Sequence, residues 1–355
     1  MASYQNVSTP RFYIDYLSYN REIKNALIVL PSQEEDWKHV GLDANGLYYN
    51  ETTDTGNIWV MHQLKNAIPL PDTGNETSRM FIGCMGHNLQ STGYLGENGQ
   101  EGTGLSLDFR IYDSMDNATY FWSDEIVNFP GTYSEEIPFD GFTIATKREL
   151  PGLINIDRIR TKFHVENERD YYTLLPLLYI KSIIFGEYYD MPVAPDLSLS
   201  LEHDYSGIKK TTSMSGASFS NADWIKPPKW GDKEAWQLGD FPRPYSGRRI
   251  WDLSFSYISD SDLEPRNYTG TLEDNQNQRG AVNWFENVLH YTMGGHLPFI
   301  FQPNKDAKYR WTDEEPSHIQ EIPEFATCRF DMNSFKREQV APGVYNIKIK
   351  IKESW

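Results

Sequence analysis

The sequence predicts a mostly-β protein: a jelly-roll-like β-sandwich followed by a second β domain with one amphipathic helix. Three observations predict it. First, two segments alternate with a period of two, the mark of a half-buried antiparallel strand. Trp251, Leu253, Phe255 and Tyr257 oppose Asp252, Ser254 and Ser256, while Tyr345, Ile347, Ile349 and Ile351 oppose Asn346, Lys348, Lys350 and Lys352. Second, further alternating runs recur between Gly, Pro and Asn turns, as in sandwiches. Leu105, Leu107, Phe109 and Ile111 alternate with Ser106, Asp108, Arg110 and Tyr112, and Ile159, Thr161, Phe163 and Val165 with Arg158, Arg160, Lys162 and His164. Third, a single convincing helix is predicted over 280–293. There Trp284, Val288 and Tyr291 form a stripe flanked by Phe285 and Leu289, and Gly294 and Gly295 supply a stop.

Taken in chain order, residues 9–19 open with Pro10 and read as an aromatic-rich strand. Phe12, Ile14 and Tyr16 take one side, and Tyr13, Asp15 and Leu17 the other. Residues 31–58 are polar and turn-rich, with Asn45-Gly46 and Thr55-Gly56 marking tight turns. Short strands fill 81–165, interrupted by a loop carrying Gly93, Gly96, Gly99, Gly102 and Gly104. These glycines do not lie between a strand and a helix at dinucleotide-binding spacing, so they imply no nucleotide cradle. Residues 186–246 give strands at 197–201 and 208–214 and then a long connection containing Trp224, Trp230 and Trp236. That spacing fits neither helix nor strand, so the tryptophans are read as pins holding an irregular loop to the sheet, with a binding platform as the alternative. The expected organisation is an N-terminal strand and linker over 1–40 that packs with the second domain, a sandwich over 41–185, and an assembly domain over 186–355.

Composition sets bounds. A chain of 355 residues exceeds the size, about 250 to 300 residues, at which single cores stop growing, so two domains are expected. With 39% hydrophobic and 23% charged residues it should fold compactly. Fifty acidic against thirty-three basic side chains give a charge of −17, which a phosphate backbone would repel, so nucleic acid is not an expected partner. Lys348, Lys350 and Lys352 are expected to guard a strand edge against aggregation. Cys84 and Cys328, the two cysteines, have no metal-ligand spacing and are expected to be reduced and apolar in their packing. Residues 1–30 lack the pattern of a secretory signal, and folding in a cytoplasm is the expectation. The best apolar run, 174–185, is interrupted by Pro176 and Lys181 and is too short to span a bilayer core of about 30 Å.

The strong enzyme signatures are absent: no nucleophile elbow, no His-Glu-x-x-His, no phosphate-binding loop and no Cys-x-x-Cys. The reading is therefore a protein that is not an enzyme, with no catalytic, cofactor-binding or metal-binding residue assigned and no cofactor. Eight histidines are scattered without metal spacing. Among them His87 is read as locking a loop, with ligand contact as the alternative, and His296 as a satisfied, semi-buried ring. Asp260, Asp262 and Glu264 resemble the start of a calcium loop, but Pro265 stands where glycine is required, so a solvated turn is expected. Acidic clusters at 34–36, 124–125, 135–136 and 313–315 are read as solvated surface; a glycosidase pair, which needs carboxyls about 5 to 9.5 Å apart, is the alternative. Arg248 and Arg249, beside Gly247, suit pairing with the acidic rim of a neighbouring subunit, or else face solvent.

Several of these segments together resemble a known family. The residues are the alternating runs 247–257 and 343–352, the Leu297-Pro298-Phe299-Ile300-Phe301-Gln302-Pro303 stretch, Tyr188-Tyr189-Asp190-Met191-Pro192, and the segments 195–200, 207–211 and 228–232. They are similar to virion structural proteins of tailed bacteriophages, of the distal-tail or baseplate type, most clearly over 185–355. Residues 10–15 and 81–89 are similar to shorter segments of the same kind of protein. The resemblance implies a β-barrel-like domain with a helix that self-associates into a ring, with a hexamer as one form. It further implies a platform joining the tail tube to fibres or hub proteins, contacts with other tail or baseplate proteins, and a place in the virion tail after assembly in the host cytoplasm. A carbohydrate-binding module for host-surface glycan is the alternative, because sandwiches rich in Trp and Tyr stack sugars.

Overall fold

The computed structural model describes residues 7–23, 27–30, 48–49, 58–69, 79–85, 105–112, 118–120, 125–126, 142–147, 155–165, 179–180, 182–197, 199–204, 208–222, 229–230, 233–234, 248–264, 283–307 and 325–354. Strands dominate them and every pairing is antiparallel, so the mostly-β prediction holds. In chain order the strands are β1 (Arg11–Asp15), β2 (Leu27–Leu30), β3 (Tyr48–Tyr49), β4 (Ile58–Pro69), β5 (Met80–Met85), β6 (Leu105–Tyr112), β7 (Ala118–Tyr120) and β8 (Glu125–Ile126). Next come β9 (Phe142–Lys147), β10 (Asn155–Val165), β11 (Tyr179–Ile180), β12 (Ser182–Asp190), β13 (Ser200–Asp204), β14 (Ile208–Thr212) and β15 (Ser218–Ala222). The last are β16 (Lys229–Trp230), β17 (Lys233–Glu234), β18 (Arg248–Ser259), β19 (Phe299–Gln302), β20 (Ala326–Phe330), β21 (Arg337–Ala341) and β22 (Val344–Glu353).

Eleven strands form one sheet in the order β13-β18-β22-β20-β19-β1-β12-β5-β9-β8, with β21 paired to β22 beside this path. The opening strand sits between β12 and β19, with Phe12 opposite Tyr189 and Phe301. This sheet draws strands from all three expected segments, 1–40, 41–185 and 186–355, and β12 itself runs across residue 185. A second sheet of five strands, β2-β4-β10-β6-β7, contains the two alternating runs at 105–112 and 158–165.

β1 is buried along its whole length because it is covered on both faces. Phe12 and Ile14 point into a large cluster with Trp251, Leu253, Phe255, Trp284, Phe299, Phe301, Ile349 and Ile351. The Phe12 ring meets Trp284 edge-on at 5.0 Å and lies 5.4 Å from Phe301. Tyr13 points the other way, into a smaller cluster with Phe81, Ile144, Ile184, Tyr188 and Ile300. An aromatic ring so enclosed contributes about 1.5–3 kcal/mol by burial alone, which is why this short strand anchors the sheet.

The strand predicted over 9–19 is shorter than its alternation suggests. It stops at Asp15, whose carboxylate accepts from the backbone N–H groups of Leu17 and Ser18 at 3.1 and 3.2 Å and so caps a helix, α1 (Tyr16–Glu22). Capping satisfies N–H groups that the first helical turn leaves without partners. Asp15 also accepts from the backbone N–H of Phe185 at 3.2 Å, which ties the strand-to-helix corner to β12. Gly186 of β12 lies beneath this corner, where a Cβ would collide with the carbonyl of Ile14.

The helix predicted over 280–293 is found in altered form: the described part is a π-helical segment, Phe285–His290, whose N-cap is Trp284. Trp284 and Val288 are fully buried, as the predicted stripe requires, and Phe285 is exposed. The Val288 carbonyl closes this segment, accepting from the backbone N–H groups of Tyr291 and Thr292 and from the Thr292 hydroxyl, the last at 2.7 Å. Gly294 and Gly295, at φ 69° and 100°, then turn the chain into β19. α1 and a single turn, α2 (Asp260–Leu263), are helical segments that the one-helix expectation did not include.

Candidate assembly surface

The described residues bring no three His, Cys, Asp or Glu side chains together in a group that would hold a metal ion, and no helix among them is long and apolar enough to cross a membrane. The surface features instead lie at strand edges and at breaks in the alternating pattern. β22 follows the prediction closely: Ile347, Ile349 and Ile351 are buried while Lys348 is exposed. Yet β22 is no edge. It pairs with β18 on one side and with β20 and β21 on the other, so its lysines do not guard a free edge but project from a sheet face. Lys350 Nζ lies 3.2 Å from Asp331 Oδ2, and Lys352 Nζ donates to Asp204 Oδ2 at 2.6 Å.

β21 forms a further edge, beside the sheet's terminal strands β13 and β8: its five residues are all exposed and it pairs, among the described residues, with β22 alone. Its register slips between Gln339 and Ala341, leaving Val340 as an exposed bulge residue. A second bulge faces it across β22, between Phe255 and Ile258 of β18. That bulge corrects the predicted alternation of 251–257. Trp251, Leu253 and Phe255 are buried as expected, but Tyr257 swings out to 77% exposure and Ile258 takes its place in the core. Tyr257 adopts φ 61°, unusual for any residue but glycine, and its N–H donates to Asn346 Oδ1 at 3.1 Å. Bulges of this kind redirect a side chain and increase the local twist.

Arg249 is not available to a neighbouring subunit. Its side chain is buried against Glu353, Nη2 donating to Oε1 at 2.7 Å and Nε reaching both carboxylate oxygens at 3.2 Å, while its backbone N–H donates to Oε2 at 2.9 Å. The guanidinium also stands 4.9 Å from the Trp251 ring centroid. This corrects the expectation of an acidic rim or of solvent: the acid is supplied from β22 of the same chain. Cys328 lies fully buried beside this pair, and burial, with a smaller contribution from the Glu353 charge, pushes its thiol well above the ordinary range. At the start of β1, Arg11 makes a comparable pair with Asp190, Nε donating at 2.5 Å and Nη2 at 3.0 Å, and stacks 4.1 Å from the Tyr188 ring centroid.

His296, expected to be semi-buried, is exposed, with Nε2 3.7 Å from Glu22 Oε1. The mainly polar turn at Asp260, Asp262 and Glu264 is a short helix rather than a cation loop. The Asp262 carbonyl accepts from the Tyr189 hydroxyl at 3.0 Å, and Glu264 is ion-paired with Arg337 at the start of β21. His87, Trp224 and Trp236, the glycines from 93 to 104 and the acidic clusters at 34–36, 135–136 and 313–315 lie outside the described residues, as do Asp124 and the side chains of Cys84, Glu125 and Trp230.

One feature the sequence reading divided wrongly is the hairpin of β14 and β15. The strand predicted over 208–214 ends at Thr212, and its partner Ser218–Ala222 was not predicted, because Ser, Asn and Ala carry little strand signal. The turn is closed by Ser213, whose Oγ accepts from the Ala217 N–H at 3.0 Å, and by Gly216 at φ 83°. Met214 and Phe219 are strongly exposed on it.

No family model matches this chain. A search of curated proteins finds no match either.

Proposed function

We propose that this protein is a structural subunit of a bacteriophage tail, of the distal-tail or baseplate type, that self-associates into a ring and gives fibres or hub proteins a platform. Its work is assembly rather than catalysis. The observation that carries this reading is the edge of β21, exposed over all five residues and, among the described residues, hydrogen-bonded on one side only. Unpaired strand edges are templates for another chain, and a head-to-tail interface that closes into a ring satisfies them without unlimited growth. The resemblance described above supports the same reading, since its segments 188–192, 247–257, 297–303 and 343–352 fall for the most part in β12, β18, β19 and β22 of one sheet. Light scattering over a concentration series, with electron microscopy of the same sample, tests it. A discrete closed oligomer is expected, whereas a monomer that also fails to assemble with virion proteins would overturn the proposal.

A second reading, glycan binding at the host surface, has one observation in its favour. Tyr257 presents a ring held in place by its own backbone, beside an Asn346 amide whose Nδ2 is not the atom used in holding it. Titration with host polysaccharide separates this reading from the first, and Tyr257→Ala should abolish binding if the ring is the stacking surface.

A further inference from the structure

We infer that the β14–β15 hairpin is an arm that docks onto a second copy of this chain. The inference rests on the self-associating reading and names the segment that makes the contact. Among the described residues the hairpin forms a two-stranded sheet of its own, pairing with none of the others. From Lys209 to Asn221 every residue except Ser213 is exposed. A hairpin of two five-residue strands stands about 17 Å long, and on its own such a unit is marginally stable in water. Its conformation is nevertheless well defined by the Ser213 and Gly216 turn, where the Ser213 N–H donates to the Ala217 carbonyl at 2.8 Å and the Gly216 N–H to the Ser213 carbonyl at 2.9 Å.

The side chains say what kind of surface would receive it. Thr211 pairs with Phe219 and Lys209 with Asn221, so one face of the hairpin is a β-branched and aromatic pair followed by a basic and amide pair. Met214 stands at the tip with its side chain wholly in solvent, 109% exposed, and Phe219 is 59% exposed. Large apolar side chains clustered on a projecting element mark a contact surface rather than scattered surface hydrophobes. The charge selects the partner: the hairpin carries Lys209 and Lys210 and no acidic residue, on a chain whose formal charge is −17. A basic arm on an acidic body is complementary to another copy of that body, and such complementarity both steers association and fixes its register.

The test uses the full chain. A double variant, Met214→Ser with Phe219→Ser, removes the apolar contacts from residues that touch no core, so the far-UV circular dichroism spectrum should be unchanged. Because buried aromatic and methionine anchors carry much of the binding free energy of an interface, association should weaken at least about a hundredfold by light scattering. Lys209→Glu with Lys210→Glu should weaken it further at low salt than at high salt. As a check independent of folding, a photocrosslinking amino acid at position 215 in a mixture of light and heavy isotope-labelled chains should yield mixed-isotope cross-linked peptides. If wild-type chains form an oligomer that the serine variant also forms with equal affinity, and cross-links at 215 stay within one chain, the hairpin assignment is overturned while ring assembly stands. If the wild type is monomeric at every concentration, the hairpin assignment is overturned, and if it also fails to assemble with virion proteins, so is ring assembly. Cross-linking to a different virion protein, with no light-to-heavy product, overturns the choice of a second copy as the partner.

Discussion

Replacing Glu353 with alanine removes the acceptor for three donors at once: the Arg249 backbone N–H, Nε and Nη2, at 2.7 to 3.2 Å. Both side chains are nearly sealed from water, at 9% and 2% exposure, so solvent cannot replace what is lost. Breaking a buried ion pair from one side costs about 3–5 kcal/mol because a desolvated charge is left without compensation. At about 1.36 kcal/mol per decade this lowers the folding equilibrium constant by roughly two to nearly four orders of magnitude, a large part of the roughly 5–15 kcal/mol that stabilises a typical domain. Arg249→Met should cost a similar amount. The double variant Arg249→Met with Glu353→Leu removes both charges and keeps the volume, so it should recover most of the loss. Urea unfolding followed by tryptophan fluorescence reads this out, since Trp251 and Trp284 are both buried in the described core. Single variants that each lose less than about 1 kcal/mol, or whose losses simply add in the double, would refute the reasoning.

Four further outcomes follow from the geometry. Asp15→Ala removes the cap of α1 and the acceptor of the Phe185 N–H, and should cost about 2–4 kcal/mol in urea unfolding, with Asp15→Asn in between; equal stability of all three would contradict the assigned role. Tyr257→Asn should be at least as stable as the wild type, because asparagine tolerates the left-handed backbone that costs tyrosine about 1–2 kcal/mol, whereas a marked loss would mean that the ring makes contacts not seen here. The Cys328 thiol should resist alkylation at pH 8 in the folded protein and react only on unfolding, so rapid native labelling at this position would count against its burial. Burial raises the phenols of Tyr13 and Tyr16, Glu187 and Tyr291 adding to the effect at Tyr16, while the unfolded chain titrates near 10.0. The stability they contribute is therefore complete below about pH 10 and is lost as the pH climbs from there through the folded values, because the unfolded state releases its protons first. Urea midpoints from pH 8 to 11 should fall only above 10, and Tyr13→Phe should flatten the fall.

Where one rule governs a segment, its structure was legible in the sequence. β22 shows this best: Ile347, Ile349 and Ile351 go inside because a strand has only two faces and one of them is core. The helical stripe of Trp284 and Val288 was legible for the same reason, and so was the glycine stop after it. What the alternation could not reveal were the places where another interaction overrides it. Nothing about Tyr257 distinguishes it from Phe255 until the bulge opposite Asn346 is known. Asp15 sits on the period-two pattern, yet its side chain is spent on capping, and the short run from Tyr16 to Glu22 becomes helix. The destination of Arg249 depended on a residue 104 positions away, which no local pattern encodes. The candidate assembly surface was legible only in outline: the alternating segments pointed to sheet edges, but the lysines of β22 lie inside the sheet, and the exposed edge beside them belongs to β21.

The central claim, that this chain is built to assemble, is tested most directly by the native mass of the purified chain, measured by light scattering at several concentrations with electron microscopy of the same sample. The account predicts a discrete closed oligomer whose mass stays constant over a range of concentrations. A monomer at every concentration, unchanged when virion proteins are added, would contradict it.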